Sequence, residues 1–174
     1  ICTLHDVGHE GDTSFIVMEL VEGETLAIRI SRGPLPISEV LRIGMQTADG
    51  LDKAHRAGIV HRDLKPGNIM LAKSGTKLLD FGLARASGLG PATAGQPNSP
   101  TMSSPLTAEG TILGTFLYMA PEQLEGNEAD ARSDIWALGC VLYEMITGNR
   151  PFQGKSQASL ISAIMSSEPA PISQ

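Results

Sequence analysis

The residues able to do chemistry gather in one polar stretch, His61-Arg62-Asp63-Leu64-Lys65-Pro66-Gly67-Asn68, and at Asp80 further along the chain. Asp63 brings a carboxylate that can accept a proton. Lys65 brings an ammonium suited to phosphate, and Asn68 and Asp80 bring hard oxygens of the kind magnesium takes. Singly, an Asp, Asn or Lys in a polar loop reads as a turn residue. Their spacing changes that reading. Ile69-Met70-Leu71 and Lys77-Leu78-Leu79 lie on either side of Lys73-Ser74-Gly75 as the arms of a tight hairpin. Asn68 enters this hairpin and Asp80 leaves it, so the two oxygen donors are held at a fixed separation.

Other elements must carry the hairpin. Cys2 to Val7 and Phe15 to Leu20 flank the turn Gly8-His9-Glu10-Gly11-Asp12 and predict two antiparallel strands, followed by a Gly- and Pro-punctuated connector. From Ser38, the expected N-cap, Val40, Ile43, Thr47, Leu51 and Ala54 recur at helical spacing up to Gly58. Ile135, Leu138, Leu142 and Met145 mark a second helix, and Trp136, Val141 and Tyr143 make its other faces apolar too, which predicts a helix buried all round. Leu160, Ile161 and Ile164 fit a last amphipathic helix that ends before Pro169 and Pro171. Between Ala86 and Gly110 the composition turns to Gly, Pro, Ser, Thr and Ala, the signature of a mobile loop.

Size and composition bound the function. The chain has 174 residues, 41% of them hydrophobic, enough for one domain or part of one. Cys2 and Cys140 suggest neither a disulfide framework nor a zinc site, so a reducing, cytoplasmic setting fits. The net charge of -6 argues against nucleic acid or an anionic membrane as principal partner. The longest apolar run, Ile135 to Ile146, is broken by Gly139 and Glu144 and falls short of the roughly 20 residues a membrane span needs. The opening Ile1-Cys2-Thr3-Leu4 has no methionine and no signal-peptide pattern, and reads as a cut inside a domain.

His61-Arg62-Asp63-Leu64-Lys65-Pro66-Gly67-Asn68, then Asp80-Phe81-Gly82, then Ala120-Pro121-Glu122 resemble the signatures of the protein kinase family, in that family's order. Six fixed letters in the first motif alone would arise by chance on the order of once in tens of millions of positions. The resemblance runs from about Cys2 to Met165. It implies a eukaryotic-like serine/threonine kinase, and Glu22-Gly23-Glu24-Thr25-Leu26 resembles the compact hinge of the bacterial sort. The implied fold is α+β, mainly α with small β hairpins: a kinase-like C-terminal lobe truncated at both ends. Residues 1–22 would be the last N-lobe strands and the hinge, 23–174 the C-lobe, and 80–122 the activation segment with a flexible 86–110.

The resemblance also assigns roles. Asp63 would orient the substrate hydroxyl, Lys65 would sit near the transferring phosphate, and Asn68 and Asp80 would hold Mg2+. The backbone of Glu19 and Val21 would meet the adenine of ATP, with Met18 as gatekeeper and Met70 as the apolar floor. Thr115 would link the substrate-binding segment to Asp63 and Lys65. Arg62 and Arg85 would form a fork for a phosphothreonine, with Thr111 the first candidate and Thr107 the second. Asp134 would receive backbone amides of the His61-Arg62-Asp63 loop, and His61 would brace that loop. His5, His9 and His55 are read as surface or satisfied residues.

Lys65-Pro66 implies serine and threonine acceptors on protein substrates, with no nucleic acid and no membrane contact in this segment, and a homodimer for trans-autophosphorylation among the implied arrangements. The family's Gly-rich loop and strand lysine would lie before Ile1, and the arginine that usually pairs with the glutamate at Glu122 would be missing, leaving Glu122 unpaired. The two missing faces would expose apolar surface on the strand pair and the central helix. A non-catalytic kinase-like scaffold is the rival reading, but it has no chemical use for Asp63, Asn68 and Asp80 together.

Overall fold

The computed structural model describes residues 1–11, 13–81 and 116–172. Strands β1 (Leu4–Glu10) and β2 (Thr13–Met18) pair antiparallel. The expected turn over Gly8 to Asp12 is therefore shorter: Gly8, His9 and Glu10 belong to β1, and the reversal falls at Gly11, whose φ is +59°. Gly8 lies opposite Phe15, and a Cβ there would come within 2.3 Å of the Phe15 ring. The ring covers the strand because no side chain stands in its place.

The expected connector after β2 holds two short elements. These are β3 (Gly23–Thr25) and α1 (Leu26–Ile30), the helix capped by Thr25 Oγ1 accepting the Ile28 N–H. Helix α2 (Ile37–Arg56) buries Val40, Ile43, Thr47, Leu51 and Ala54, the stripe that its spacing predicted. It starts earlier than expected. Pro36 occupies the cap position and its carbonyl accepts the Glu39 and Val40 N–H groups, which places Ser38 inside the first turn rather than at the cap.

Strands β4 (Ile69–Ala72) and β5 (Gly75–Leu78) form the expected hairpin, and β3 adds to it in the antiparallel order β3-β4-β5. A 3-10 turn, Pro66–Asn68, leads into β4. Further on come α3 (Pro121–Leu124), α4 (Ala131–Thr147) and α5 (Gln157–Ser166).

Helix α4 is the axis of the domain. Asp130 caps its start by accepting the Arg132 N–H at 2.8 Å, and Gly148 ends it in the left-handed conformation at φ 69°. One face, with Ala137, Leu138, Val141 and Met145, joins the main core of α1, α2, β4 and β5. The other carries Trp136 and Cys140 into a second cluster with Leu117, Phe152 and Leu160, where the Trp136 and Phe152 rings stack at 5.7 Å. The expectation of burial all round fails at Ile135, which is 57% exposed because it belongs to neither face. Gly44 lets α2 approach α4 closely, since a Cβ there would lie 2.9 Å from Leu142 Cδ2. This is an α+β architecture in which, among the described residues, a helical core accompanies two small antiparallel sheets.

Candidate active site

The polar stretch is pinned by alternation between core and surface. Leu64 and Ile69 are buried in the main core, and Asp63 and Lys65 project from between such anchors. His61 is buried and its ring lies 4.5 Å from the Phe81 ring, tilted by 45°. This contact joins the stretch to the segment after Asp80. Burial lowers the His61 pKa against the opposing pull of Asp134, so the ring is kept neutral and acts as packing, as the sequence implied.

Asp134 on α4 holds the backbone of the stretch. Its buried carboxylate accepts the His61 and Arg62 N–H groups, each at 2.8 Å, and also His55 Nε2 at 2.7 Å. His55, on the last turn of α2, is thus a satisfied residue. Arg62 is left-handed at φ 70° and Asp80 at φ 57°. A non-glycine residue in that region is uncommon and costs of order 1–3 kcal/mol where strained. Among the described residues these are the two non-glycine positions with positive φ, and they stand beside Asp63 and at the end of the hairpin.

Asp63 and Asn68 are brought together directly. Asn68 Nδ2 donates to Asp63 O at 2.8 Å and to Asp63 Oδ2 at 3.2 Å, and Lys65 Nζ donates to the same Oδ2 at 2.6 Å. The Asn68 amide nitrogen is thus committed to Asp63. The Leu79 N–H donates to Asn68 O at 2.9 Å, so Asp80 leaves β5 next to Asn68. The described residues hold no cluster of three or more His, Cys, Asp or Glu side chains able to bind a metal. A carboxylate and an amide oxygen are donor types that suit magnesium.

Sequence reasoning missed several partners. Gln123 Nε2 donates to Arg62 O at 3.1 Å while its Oε1 accepts the Ala120 N–H, so α3 leans on the loop. Its place directly after Ala120-Pro121-Glu122 is the only signal it gave. Glu122 is not left bare, as was expected: Ser133 Oγ donates to its Oε1 at 2.6 Å. Beside Lys65 opens a cavity of about 790 Å³ lined by Ile30, Tyr118, Glu144, Arg150 and Phe152, in which Tyr118 donates to Glu144. Burial, and then Glu144, push the Tyr118 phenol far above its usual range. Arg62 Nη2 reaches Glu128 Oε1 at a loose 3.6 Å. Arg85, Thr107, Thr111 and Thr115, and the expected mobile loop at 86–110, lie outside the described residues.

The protein kinase domain family profile matches residues 1–171. The chain belongs to the protein kinase family. It is similar to the serine/threonine-protein kinase PknL of Mycobacterium tuberculosis (strain CDC 1551 / Oshkosh), 41% identical over 162 residues, which cover 92% of this chain and 37% of that protein. It is also similar to the serine/threonine-protein kinase PknB of Mycobacterium leprae (strain TN), at 39% identity over all of this chain and 27% of the relative. The serine/threonine-protein kinase pkn2 of Myxococcus xanthus is 37% identical over 96% of this chain and 19% of its own length. The kinase chain thus spans well under half the length of these curated relatives. Its resemblance to bacterial-type serine/threonine kinases holds across nearly the whole sequence, and kinases of this family generally use ATP and Mg2+. No helix among the described residues is long and apolar enough to cross a membrane.

Proposed function

We propose that this chain carries the phosphoryl-transfer residues of a serine/threonine protein kinase that moves the γ-phosphate of ATP to serine and threonine hydroxyls of proteins. The observation that carries the reading is the joining of Asp63 and Asn68 through one amide, with Asp80 set beside Asn68 by the hairpin. Residues 1–22 would then be the last strands and hinge of the ATP-holding lobe, 23–174 the opposite lobe, and 80–122 the activation segment.

Magnesium-bound ATP, when present, supplies the transferable phosphoryl group with its charge partly neutralised. Asn68 Oδ1 and Asp80 would hold the cation, and the Glu19 and Val21 backbone would hold the adenine, with Met70 beneath it. The Glu19 N–H is taken by Thr3 O at 2.9 Å, and the Glu19 carbonyl, which also accepts Cys2 Sγ at 3.6 Å, is the group that would meet the ligand. Lys65 and Asn68 both donate to Asp63 Oδ2, which leaves Oδ1 to accept the proton of an incoming alcohol. Lys65 stands between that carboxylate and the cavity, where it can steady charge on the moving phosphoryl group.

Arg62 would respond to phosphate. Its Nε is buried without a hydrogen-bond acceptor among the described residues, and its contact with Glu128 is long. A phosphorylated Thr111 or Thr107, shared with Arg85, would supply the missing acceptor. Transfer between two copies would load it. Thr115 would complete the acceptor side. The rival scaffold reading leaves the strained Arg62 and Asp80 without a purpose.

The test is transfer itself. The natural full-length protein with ATP and Mg2+ is expected to place phosphate on serine or threonine of a basic protein, located by mass spectrometry. Phosphate found only on other residue types, or none at all, would refute the assignment.

A further inference from the structure

Strands β1 and β2 pack mainly on one another. Their side chains Leu4, Val7, Phe15, Val17 and Met18 are all exposed among the described residues. What ties this ribbon to the hairpin below is a small ring of polar contacts around Glu19. Lys77 on β5 donates to Glu19 Oε1. Glu19 Oε2 accepts the Thr3 N–H at 3.0 Å, and the Glu19 N–H donates to Thr3 O at 2.9 Å. The Cys2 N–H closes the ring by donating to Leu78 O at 2.8 Å, one residue along β5 from Lys77.

The two charged side chains are 26% and 25% exposed. Lys77 first, and then the Thr3 N–H, hold the Glu19 carboxyl down at about 2. The ring also joins two halves of one proposed ligand site. Glu19 and Val21 lie on its ribbon side, and the chain runs from Lys77 through the end of β5 at Leu78 to Asp80, two residues on.

We propose that Lys77 and Glu19 are a positioning pair: their ion pair sets the adenine-facing linker at a fixed distance from Asn68 and Asp80, so that one nucleotide is held at both ends. The ligand in this statement rests on the kinase reading, and the brace rests on geometry alone. Neither side chain touches the reacting atoms. Without the pair, the linker and the hairpin keep their own folds but lose their mutual register, and the penalty falls on nucleotide binding rather than on transfer.

The test uses the natural full-length protein. Lys77→Met should raise the KM for ATP about tenfold, a typical size for coupling between contacting residues. Its kcat should stay within about threefold and its KM for the acceptor protein should not move. Lys77→Arg should restore the ATP KM, and Lys77→Met with Glu19→Gln should be no worse than either change alone. An ATP KM within about twofold of the parent, or defects that add in the double variant, would overturn the proposal. If the parent transfers no phosphate, the kinase reading fails and the brace is still decided by hydrogen exchange. In full-length Lys77→Met the Cys2, Thr3 and Glu19 amides should exchange about tenfold faster while α2 and α4 amides keep their rates; equal rates at Cys2, Thr3 and Glu19 overturn it.

Discussion

Around Asp63 the chain is fixed from below: His61, Leu64 and Ile69 are 1%, 2% and 0% exposed, and a buried carboxylate takes the backbone N–H groups of His61 and Arg62. Around Met18 the support is of another kind, with Val7, Phe15 and Val17 open and an ion pair with a few backbone bonds at the base. Both regions are proposed to touch the same nucleotide. The difference shows what each task demands. A left-handed arginine beside Asp63 stays in place only where its surroundings over-determine it, whereas the linker after β2 is set by a few polar contacts at the ribbon's base.

The largest break in this comparison should come from Asp134→Ala. It leaves two backbone donors and His55 without their acceptor, and the expected loss is about 3 kcal/mol or more in urea unfolding. A loss under about 1 kcal/mol would mean that the loop is not held from α4. Leu51→Ala should cost about 2–5 kcal/mol, since Leu51 is buried in the main core. Leu20→Ser should stay within about 0.5 kcal/mol, because Leu20 is 88% exposed. Equal effects at the two leucines would erase the distinction between the regions.

The smallest effect is an acid dependence. The Glu19 carboxyl is lowered from 4.5 to about 2, chiefly by Lys77. A depressed carboxyl contributes stability above its unfolded value and loses that contribution as pH falls toward its folded value. The brace should therefore weaken between about pH 4.5 and about 2. Glu19→Gln should flatten this part of the pH profile of ribbon hydrogen exchange, and a profile identical to that of the parent would remove Glu19 from the account.

Long periodic elements were legible in the sequence. The stripe from Val40 to Ala54 and the arms around Lys73 and Ser74 fold as their spacing implies, because local period and tertiary burial agree there. The three residues of β3 and the five of α1 are too short to show a period, although Leu26 and Ile30 are both buried. Ser38 has the side chain of a cap, but Pro36, with its fixed φ and a carbonyl that accepts the Glu39 and Val40 N–H groups, begins the helix earlier. Ile135 matched an apolar stripe but faces outward, since burial depends on neighbours that its own helix does not encode.

In the site, the residues with motif spacing were legible, and their non-local partners were not. Ser133 at the start of α4 finds Glu122 on α3, and Lys77 finds Glu19 from far along the chain. Such pairs follow from topology, and no local spacing announces them. The Asp134 clamp was foreseen only through family resemblance, and the geometry supplied its third partner, His55.

The most direct measurement is the rate of phosphoryl transfer by Asp63→Asn in the natural full-length protein, made alongside its affinity for magnesium-bound ATP. Transfer should fall about 10²–10⁴-fold, the span of a lost general base, with nucleotide affinity kept within about threefold. Transfer at the parent rate would contradict the claim that Asp63 receives the alcohol's proton beside a cation held by Asn68 and Asp80.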